Sequence, residues 1–352
     1  MKRLARIPGL KIWTLLFLMG ATLASCDSVL EEEAEDCATY VRFKYDMNMK
    51  FADAFPNAVK SVTLYVFDQD GKLFLQRTEE GEALAQPGYR MRLDEISRRN
   101  KDQYEYITWA GLADNDAFTV PLMTVGTSTK EDLFCLLERK HESRAEGDAY
   151  VDYDLEALFH GRVEKGEASR ATGTLSDEVL VPLTKNTNNV RIVLQHMSGE
   201  PVQAENFRFT ITDENGLMNY DNLLLDDEVI TYKAWRTDNG YAGLGEEEAV
   251  TVEGVSEINV ALAELTVARL MADERPILTI SNVATGETVL SIPLIDYALM
   301  VKGYYNREMD DQEYLDRQDE YNMTFFLDEG NKWMNAYIYI NSWRIVLQDT
   351  EL

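Results

Sequence analysis

The sequence has few of the side chains on which catalysis and metal binding usually depend. Its 352 residues include three cysteines and three histidines. The cysteines form no CxxC pair and no zinc-ligand spacing, and the histidines, His141, His160 and His196, are far apart. The GxSxG, HExxH, P-loop and dinucleotide-binding patterns are also absent. Each histidine is therefore interpreted as structural or solvated, and the sequence predicts a protein that is not an enzyme and has no cofactor or metal site.

Basic residues are scarce as well. Lysine and arginine number 34 against 62 aspartates and glutamates, which gives a formal net charge of −28. Such a chain repels phosphate backbones, so nucleic acid is excluded as a partner. Carboxylates are too abundant for any pair to be singled out as catalytic. The segment Asp68 to Gly71 is similar to the start of a calcium loop but lacks the later acidic ligand, so it is interpreted as a hairpin turn.

One apolar run stands out, from Ile12 to Leu23, and nothing later in the chain approaches a membrane-spanning length. The run follows four basic residues, is shorter than the roughly 20 residues of a spanning helix, and ends in Leu-Ala-Ser-Cys at 23–26. This predicts a secretory signal peptide at residues 1–25 and a lipoprotein whose new first residue, Cys26, is acylated. Each buried methylene would add about 0.8 kcal/mol to membrane binding. The alternative is an ordinary signal peptide or an uncleaved helix in which Cys26 is incidental.

Residues 26–37 are predicted to be an acidic tether, because Asp27 to Asp36 is too polar and charged to fold alone. Removal of the signal peptide, which has four basic residues and no acidic one, leaves 327 residues with a net charge of −32. That length is enough for two ordinary domains. Acidic residues just after the lipid cysteine resemble the signal that sends Bacteroidetes lipoproteins to the outer face of the outer membrane. From its residues alone, the tether is a solvated spacer.

Cys37 and Cys135 are candidates for a disulfide, since an exported protein meets an oxidising compartment. A bridge between them would close a loop of about 100 residues and add several kcal/mol of stability. Cys135 lies in the apolar run Leu133 to Leu137, so a buried free thiol is the alternative.

Short alternating runs separated by turn residues dominate the rest of the chain and predict an all-β fold. The polar, turn-forming segment 184–189 divides the mature chain nearly in half. We therefore predict two tandem antiparallel β-sandwiches, at 38–185 and 186–352, and one short helix at Asp310 to Asp319. The predicted strands lie at 40–45, 61–67, 72–76, 104–110, 133–137, 179–183, 190–194, 207–211, 266–270, 277–280, 288–292, 321–327, 333–340 and 343–347.

Segments in both halves of the chain match a known pattern. They are Cys37 to Met49 with Asp53-Ala54-Phe55-Pro56, Val62 to Gly71 with Leu64-Tyr65-Val66-Phe67-Asp68, Trp109-Ala110-Gly111-Leu112, Leu183 to Leu194, and Ile340-Asn341-Ser342-Trp343. Together with the lipidation sequence, they resemble the FimB-like anchor lipoproteins of the type V fimbriae of Bacteroidetes. The resemblance implies two transthyretin-like sandwiches. It also implies a minor subunit that is fixed in the outer membrane by the lipid on Cys26, faces the cell surface, binds the major pilin at the fimbrial base and limits fimbrial length.

Two other functions stay open. The first is a stalk or tip subunit, or an adhesin, of the same fold. Subunits of that kind resemble proteins whose pro-segment is removed by cleavage after an arginine. Here no Arg or Lys occurs between Cys26 and Val41, and Arg42 is inside the first predicted strand, which favours an anchor; Arg144 and Arg170 remain alternative sites for a cut. A glycan-binding surface lipoprotein is the third interpretation, although the sequence shows no aromatic binding platform.

The closing segment 333–347, broken at Asn341-Ser342, predicts a hairpin. An unpaired sheet edge offers N–H and C=O groups that a partner's extended segment can complete. We expect the first domain to face the membrane and the second to receive the first pilin, with this hairpin as a candidate edge. A core position for its aromatic residues is the alternative.

Overall fold

The structure is a computed structural model that describes residues 37–113, 115–142, 148–174, 176–242, 258–303, 308–334, 337–341 and 343–346. The predicted signal peptide, the lipidation site Cys26 and all of the tether except Cys37 lie outside the described residues, as does Arg144. Within the described residues, no helix is both long enough and apolar enough to cross a membrane.

Strands account for most of the regular structure, so the all-β prediction is confirmed. The strands of the first half are β1 (Ala38–Lys44), β2 (Ser61–Phe67), β3 (Leu73–Glu80), β4 (Met91–Ser97), β5 (Glu105–Ala110), β6 (Phe118–Thr119), β7 (Phe134–Leu137), β8 (Lys140–His141), β9 (Ala149–Val151), β10 (Phe159–Val163) and β11 (Glu178–Lys185). Those of the second half are β12 (Thr187–His196), β13 (Phe207–Asp213), β14 (Leu217–Asn219), β15 (Ile230–Lys233), β16 (Arg236–Ala242), β17 (Ile258–Ala268), β18 (Ile277–Asn282), β19 (Thr288–Pro293), β20 (Glu320–Leu327), β21 (Tyr337–Ile340) and β22 (Trp343–Val346). The helices are α1 (Phe55–Ala58), α2 (Leu294–Met300) and α3 (Asp311–Arg317), with 3-10 turns at Gly81–Ala83, Lys101–Gln103, Lys130–Asp132 and Ala204–Asn206.

The first sheet has seven strands in the order β3-β2-β5-β10-β11-β1-β4. Its hairpin β2-β3 is the one predicted from the sequence, and the acidic segment forms its turn. The Asp68 carboxylate accepts hydrogen bonds from the N–H groups of Asp70 (2.9 Å) and Lys72 (3.0 Å). Gly71 has a φ of +73°, which glycine adopts without strain. The carboxylate therefore shapes the turn.

Strand β2 is buried on both of its faces, whereas an alternating run predicts one buried face and one exposed face. Val62, Leu64 and Val66 belong to one core, which is formed by strands of the first sheet, β1 and β4 among them, and by α1. Tyr65 and Phe67 point into a second core that continues into the other half of the molecule. The first sheet therefore separates two cores.

Two six-stranded sheets, built mainly from strands of the second half, share this second core. The second sheet has the order β16-β17-β12-β20-β21-β22, and the third sheet has the order β19-β18-β13-β15-β9-β8. Inward side chains such as Ile192 and Leu265 from the second sheet belong to the same core as Phe209 and Ile280 from the third. This is the face-to-face packing of a β-sandwich. A small fourth sheet, β14-β7-β6, contributes Cys135 and Met218 to the same core.

The sheets contain both parallel and antiparallel strand pairs, whereas the sequence predicts antiparallel sandwiches. Strand β1 is parallel to β11, β12 to β20, and β15 to β9. Alternation within a strand reports which side chains are buried but not the direction of the neighbouring strand. Sequence pattern therefore could not reveal these three pairs.

The predicted helix is confirmed as α3, whose first turn is capped by the Asp310 carboxylate accepting from the Glu313 N–H at 2.6 Å. The expectation of a single helix is wrong. Helix α2 begins directly after Pro293 and buries Leu294, Ile295 and Ala298. Its seven residues are too short for a clear helical period.

The passage between the halves is shorter than expected. Strand β11 ends at Lys185 and β12 begins at Thr187, so most of segment 184–189 is strand, not turn. Asn186 lies between them and is fully buried. The division into 38–185 and 186–352 falls at this passage and stays a prediction. Strands of the first half also pair beyond it, because β7 pairs with β14, and β8 and β9 extend the sheet of β15.

Candidate functional site

The two outer strands of the first sheet, β3 and β4, both make contacts within the chain. The Arg77 side chain on β3 donates to the Arg92 carbonyl on β4 and pairs with Glu95 at 2.8 Å. At the other end of β3, Leu73 donates its N–H to the Ser128 carbonyl (2.8 Å) and accepts from the Gly126 N–H (2.7 Å). These contacts protect the sheet against pairing with another chain.

Two of the outer strands in the second half have features that oppose pairing. Strand β16 reads Arg-Thr-Asp-Asn-Gly-Tyr-Ala, and its exposed Arg236 and Asp238 form an ion pair at 3.1 Å. Strand β19 is six residues long and ends in Pro293. Charges and proline on outer strands are features that discourage edge-to-edge association.

Strand β22 is the last strand of the second sheet, and it reads Trp-Arg-Ile-Val. It forms the predicted closing hairpin with β21, in which Ile340 pairs with Trp343 across a two-residue turn. Asn341 in the turn has a φ of +48°, and its N–H donates to the Asn322 carbonyl at 2.8 Å. The Asn341 side-chain oxygen accepts from the Asn322 N–H, also at 2.8 Å. The turn is thereby fixed to β20, which holds the outer strand in place.

The backbone register shows which groups of β22 face outward. In a hairpin with a two-residue turn, the residues that flank the turn exchange both hydrogen bonds, and the next pair does not. The N–H and C=O of Arg344 therefore point away from β21. Among the described strands, none pairs with this side of β22. This outward side, which we call the β22 edge, is the candidate site for a partner's strand.

The two interpretations of the closing segment apply to different residues. Trp333 is half-buried, packs against the second core and meets Phe325 edge-on at a ring distance of 6.2 Å. Ile338 and Ile340 on β21 are fully buried. The start of the segment is thus core, as the alternative held, and its final strand is the edge.

A buried polar contact fixes the passage between the two halves to the turn after β14, and nothing in the sequence predicted it. Asn186, at the passage, and Asn222, in the turn after β14, exchange side-chain hydrogen bonds of 2.6 and 3.1 Å. Asn222 has a φ of +63° and is 6% exposed. Its carbonyl accepts from the Arg269 guanidinium at 2.6 Å. We call this group of side chains the junction clamp.

Ion pairs and a histidine surround the clamp. Arg269 binds Asp316 on α3 through two hydrogen bonds of 2.8 and 2.7 Å. Arg162 on β10 pairs with Glu105 (2.6 Å) and Asp221. His160 donates from Nε2 to the Tyr220 carbonyl at 2.9 Å, and its burial lowers its pKa to about 3. The turn after β14 is therefore held against the first sheet by several satisfied polar groups.

The other sequence-predicted residues are dispersed. His141 lies 3.2 Å from a Glu228 oxygen, and His196 lies 3.2 Å from the Asn331 side-chain oxygen, so no histidine adjoins another.

The candidate disulfide partners are free thiols, with Cys37 exposed and Cys135 buried. Burial also raises the pKa of the Cys135 thiol. This arrangement matches the buried-thiol alternative for Cys135, and a bridge stays a prediction that would require rearrangement. Within the described residues, no group of three or more His, Cys, Asp or Glu side chains is placed to hold a metal ion.

Comparison with known proteins gives the family. A sequence profile of the fimbrillin-A associated anchor proteins Mfa1 and Mfa2 matches residues 33–349. The chain belongs to this family. The resemblance recognised from its motifs is confirmed. Among curated proteins, no relative matches the chain.

Solved structures similar to this Mfa1/Mfa2-family protein agree with the assignment. A candidate adhesin from Bacteroides thetaiotaomicron is 34% identical with a TM-score of 0.73, and the match covers 88% of this chain and 97% of the other. A candidate polysaccharide-binding protein from the same organism is 30% identical with a TM-score of 0.72, and the match covers 90% of this chain and 100% of the other. The fimbrial anchor protein Mfa2 from Porphyromonas gingivalis shares the fold at 16% identity and a TM-score of 0.60, over 88% of this chain and 99% of the other. The family supports a fimbrial anchor or adhesin role and a cell-surface location.

Proposed function

We propose that this protein anchors the base of a fimbrium to the outer membrane and limits fimbrial length. The lipid on Cys26 holds it in the membrane, and the β22 edge pairs with an extended segment of the first pilin. The observation that supports this most directly is an outer strand with three apolar residues and outward-facing backbone groups, in a chain whose outer strands β3, β4, β16 and β19 are bridged, charged or ended by proline. Main-chain hydrogen bonds would supply affinity, and side-chain pockets would set the register.

The position of Arg42 supports an anchor over a stalk or tip subunit. Arg42 lies inside β1, and β1 pairs with β11 on one side and with β4 on the other. A cut after Arg42 would remove a strand from the interior of the first sheet and separate the chain from its lipid. An anchor that keeps Cys26 avoids both losses.

The test compares cells with and without the gene by electron microscopy and measures fimbrial protein shed into the medium. We expect deletion to give long or detached fimbriae and more shed pilin. A Cys26→Ala variant should reproduce the shedding, because it retains the β22 edge but not the acyl chains. If fimbriae vanish or are unchanged in the deletion strain, the anchor role is wrong, and a stalk, tip, adhesin or glycan-binding role takes its place.

A further inference from the structure

A cleft runs across the outer face of the second sheet where the first half of the chain meets it. Two adjoining cavities, of about 370 and 260 Å³, share Asp154 and Asn189 in their walls. Lys60 and Gly111 lie at one end, and Trp235 lies at the other. We call this space the junction cleft. It is separate from the β22 edge, which is a strand edge and not a sheet face.

Trp235 is a fixed aromatic wall of the junction cleft. It lies in the two-residue connection between β15 and β16 and is half-buried. Its backbone N–H donates to the Glu264 carbonyl at 3.0 Å, and its indole N–H donates to the Thr266 hydroxyl at 3.2 Å. Both bonds hold the ring while part of it lines the cavity. A tryptophan that is held in this way loses little freedom when a ligand packs on it.

Polar groups stand beside the ring. Thr266, which is 3% exposed, donates its hydroxyl to one Asp154 carboxylate oxygen at 2.5 Å. The second Asp154 oxygen makes no hydrogen bond within the described part of the chain, and Asp154 and Asn189 are exposed to solvent. Asn322, on the neighbouring strand β20, lines the same cavity. Asn189 on β12 lies opposite Thr266 on β17 and Glu320 on β20, so these three polar side chains form a row across adjacent strands about 4.8 Å apart.

The charged side chains that line the cleft are of both signs, with Lys60, Lys185 and Arg191 against Asp154, Glu156, Glu264 and Glu320, which favours a ligand without a net charge. Arg191 faces Glu264 at 3.6 Å, and Lys185 pairs with Asp319 at 2.6 Å. A peptide strand is disfavoured, because the backbone groups of β12 are already paired with β17 on one side and with β20 on the other. A docked strand would therefore find no backbone groups to complete.

A ring sugar fits these features. Its C–H face packs on an indole, and adjacent hydroxyls on its rim meet planar carboxylate and amide groups. A concave site with one aromatic wall and a few oriented polar groups has the character of a small-ligand site. We propose that the junction cleft binds a neutral oligosaccharide, with one sugar stacked on Trp235 and hydrogen-bonded to Asp154 and Asn189. The protein would then recognise a surface glycan in addition to its fimbrial partner.

The experiment uses the full-length protein in a detergent without a sugar headgroup. Binding is screened on an array of neutral oligosaccharides, and the strongest ligand is titrated by calorimetry. Trp235→Ala and Asp154→Ala should each weaken binding by about 10-fold, which corresponds to one stacking or hydrogen-bonding contact. Trp235→Phe should lose less, since a smaller aromatic face remains.

The matched control is Tyr150→Ala. Tyr150 lines a separate trough of about 790 Å³ on the third sheet, and the Lys233 ammonium lies 3.6 Å from the centre of its ring. This variant should bind the sugar as the unchanged protein does. If Trp235→Ala fails to fold, as judged by its thermal midpoint, Trp235→Phe and Asp154→Asn decide in its place.

Three results would overturn the proposal. They are the absence of binding to any neutral oligosaccharide, sugar binding that the folded cleft variants leave unchanged, and a cleft that binds purified fimbrial protein without competition from sugar. Fimbrial retention on cells is measured in parallel. Because the β22 edge is intact in every cleft variant, loss of sugar binding with normal retention separates this site from the anchor function.

Discussion

The junction clamp and the β22 edge differ in whether their polar groups have hydrogen-bond partners. At the clamp and beside it, buried amides, an arginine and a histidine all have partners, and the histidine's partner comes from the other half of the chain. At the β22 edge, the outward backbone groups of a short apolar strand have none among the described strands. Satisfied buried groups stabilise a fold, and unpaired edge groups invite a partner. We therefore expect clamp variants to lose stability and edge variants to lose binding.

The ion pair between Arg269 and Asp316 should give the largest loss of stability. Its side chains are 10% and 11% exposed, so Asp316→Ala leaves a buried guanidinium without its carboxylate. We expect the free energy of unfolding to fall by about 3–5 kcal/mol, measured by urea denaturation. The control is Glu167→Ala, which removes an ion pair to Arg170 whose arginine is 81% exposed. Its cost should be below about 1 kcal/mol, and equal costs would contradict the assigned roles.

His160, which lies beside the clamp, should make the free energy of unfolding fall at acid pH. Burial is the main cause of its lowered pKa of about 3, and the charges of Arg269 and Arg162 lower the pKa further. Below pH 6.5 the unfolded chain binds a proton that folded His160 does not. This stability is thus present above pH 6.5 and is lost as the pH falls toward 3, by about 1.4 kcal/mol per unit. His160→Gln keeps a donor for Tyr220 and should flatten this part of the stability curve, compared with unchanged protein between pH 7 and 4.

Asp213 should make the stability of the protein depend on pH in the opposite direction. Burial raises its pKa to about 7, with Glu274 and Glu214 adding to the effect, and one of its oxygens is buried without a partner in the described structure. Folded protein therefore keeps a proton that the unfolded chain releases near pH 4. The stability from this group is present at low pH and is lost as the pH rises through 7. Asp213→Asn should be more stable than unchanged protein at pH 8, and the difference in melting temperature should shrink toward pH 4.

Asn222 allows the clamp's hydrogen bonds and its backbone geometry to be separated. Asn222→Ala removes the amide pair, leaves Asn186 buried without its partner and places alanine at positive φ. We expect a loss of about 2–4 kcal/mol in unfolding free energy. Asn222→Gly relieves the backbone strain and loses only the amide, so it should cost about 1 kcal/mol less. If both variants cost the same, the positive φ contributes nothing.

The edge and the clamp also differ in how well the sequence predicts them. Apolar alternation and the Asn-Ser break predicted the closing hairpin, because both depend on residues close in the chain. Asn186 and Asn222 are 36 positions apart, and their pairing depends on how β14 is placed against the first sheet. Polarity at 184–189 suggested a solvated turn, since sequence alone cannot show that a partner satisfies a buried amide. Trp235 was missed for the same reason, because its accessible ring depends on the neighbouring strands.

Arg344 provides the smallest change in stability and the sharpest test of the β22 edge. Its N–H points away from β21, so Arg344→Pro removes one outward donor and leaves the hairpin hydrogen bonds in place. We expect unfolding to become easier by less than about 1 kcal/mol, while fimbriae are shed from cells as in the deletion strain. Arg344→Ala removes the same side chain and keeps the N–H, so it should retain fimbriae. Shedding in both variants would assign the contact to the arginine side chain, and retention in both would place the pilin contact elsewhere. Only shedding by the proline variant alone supports pairing of a pilin strand with this backbone.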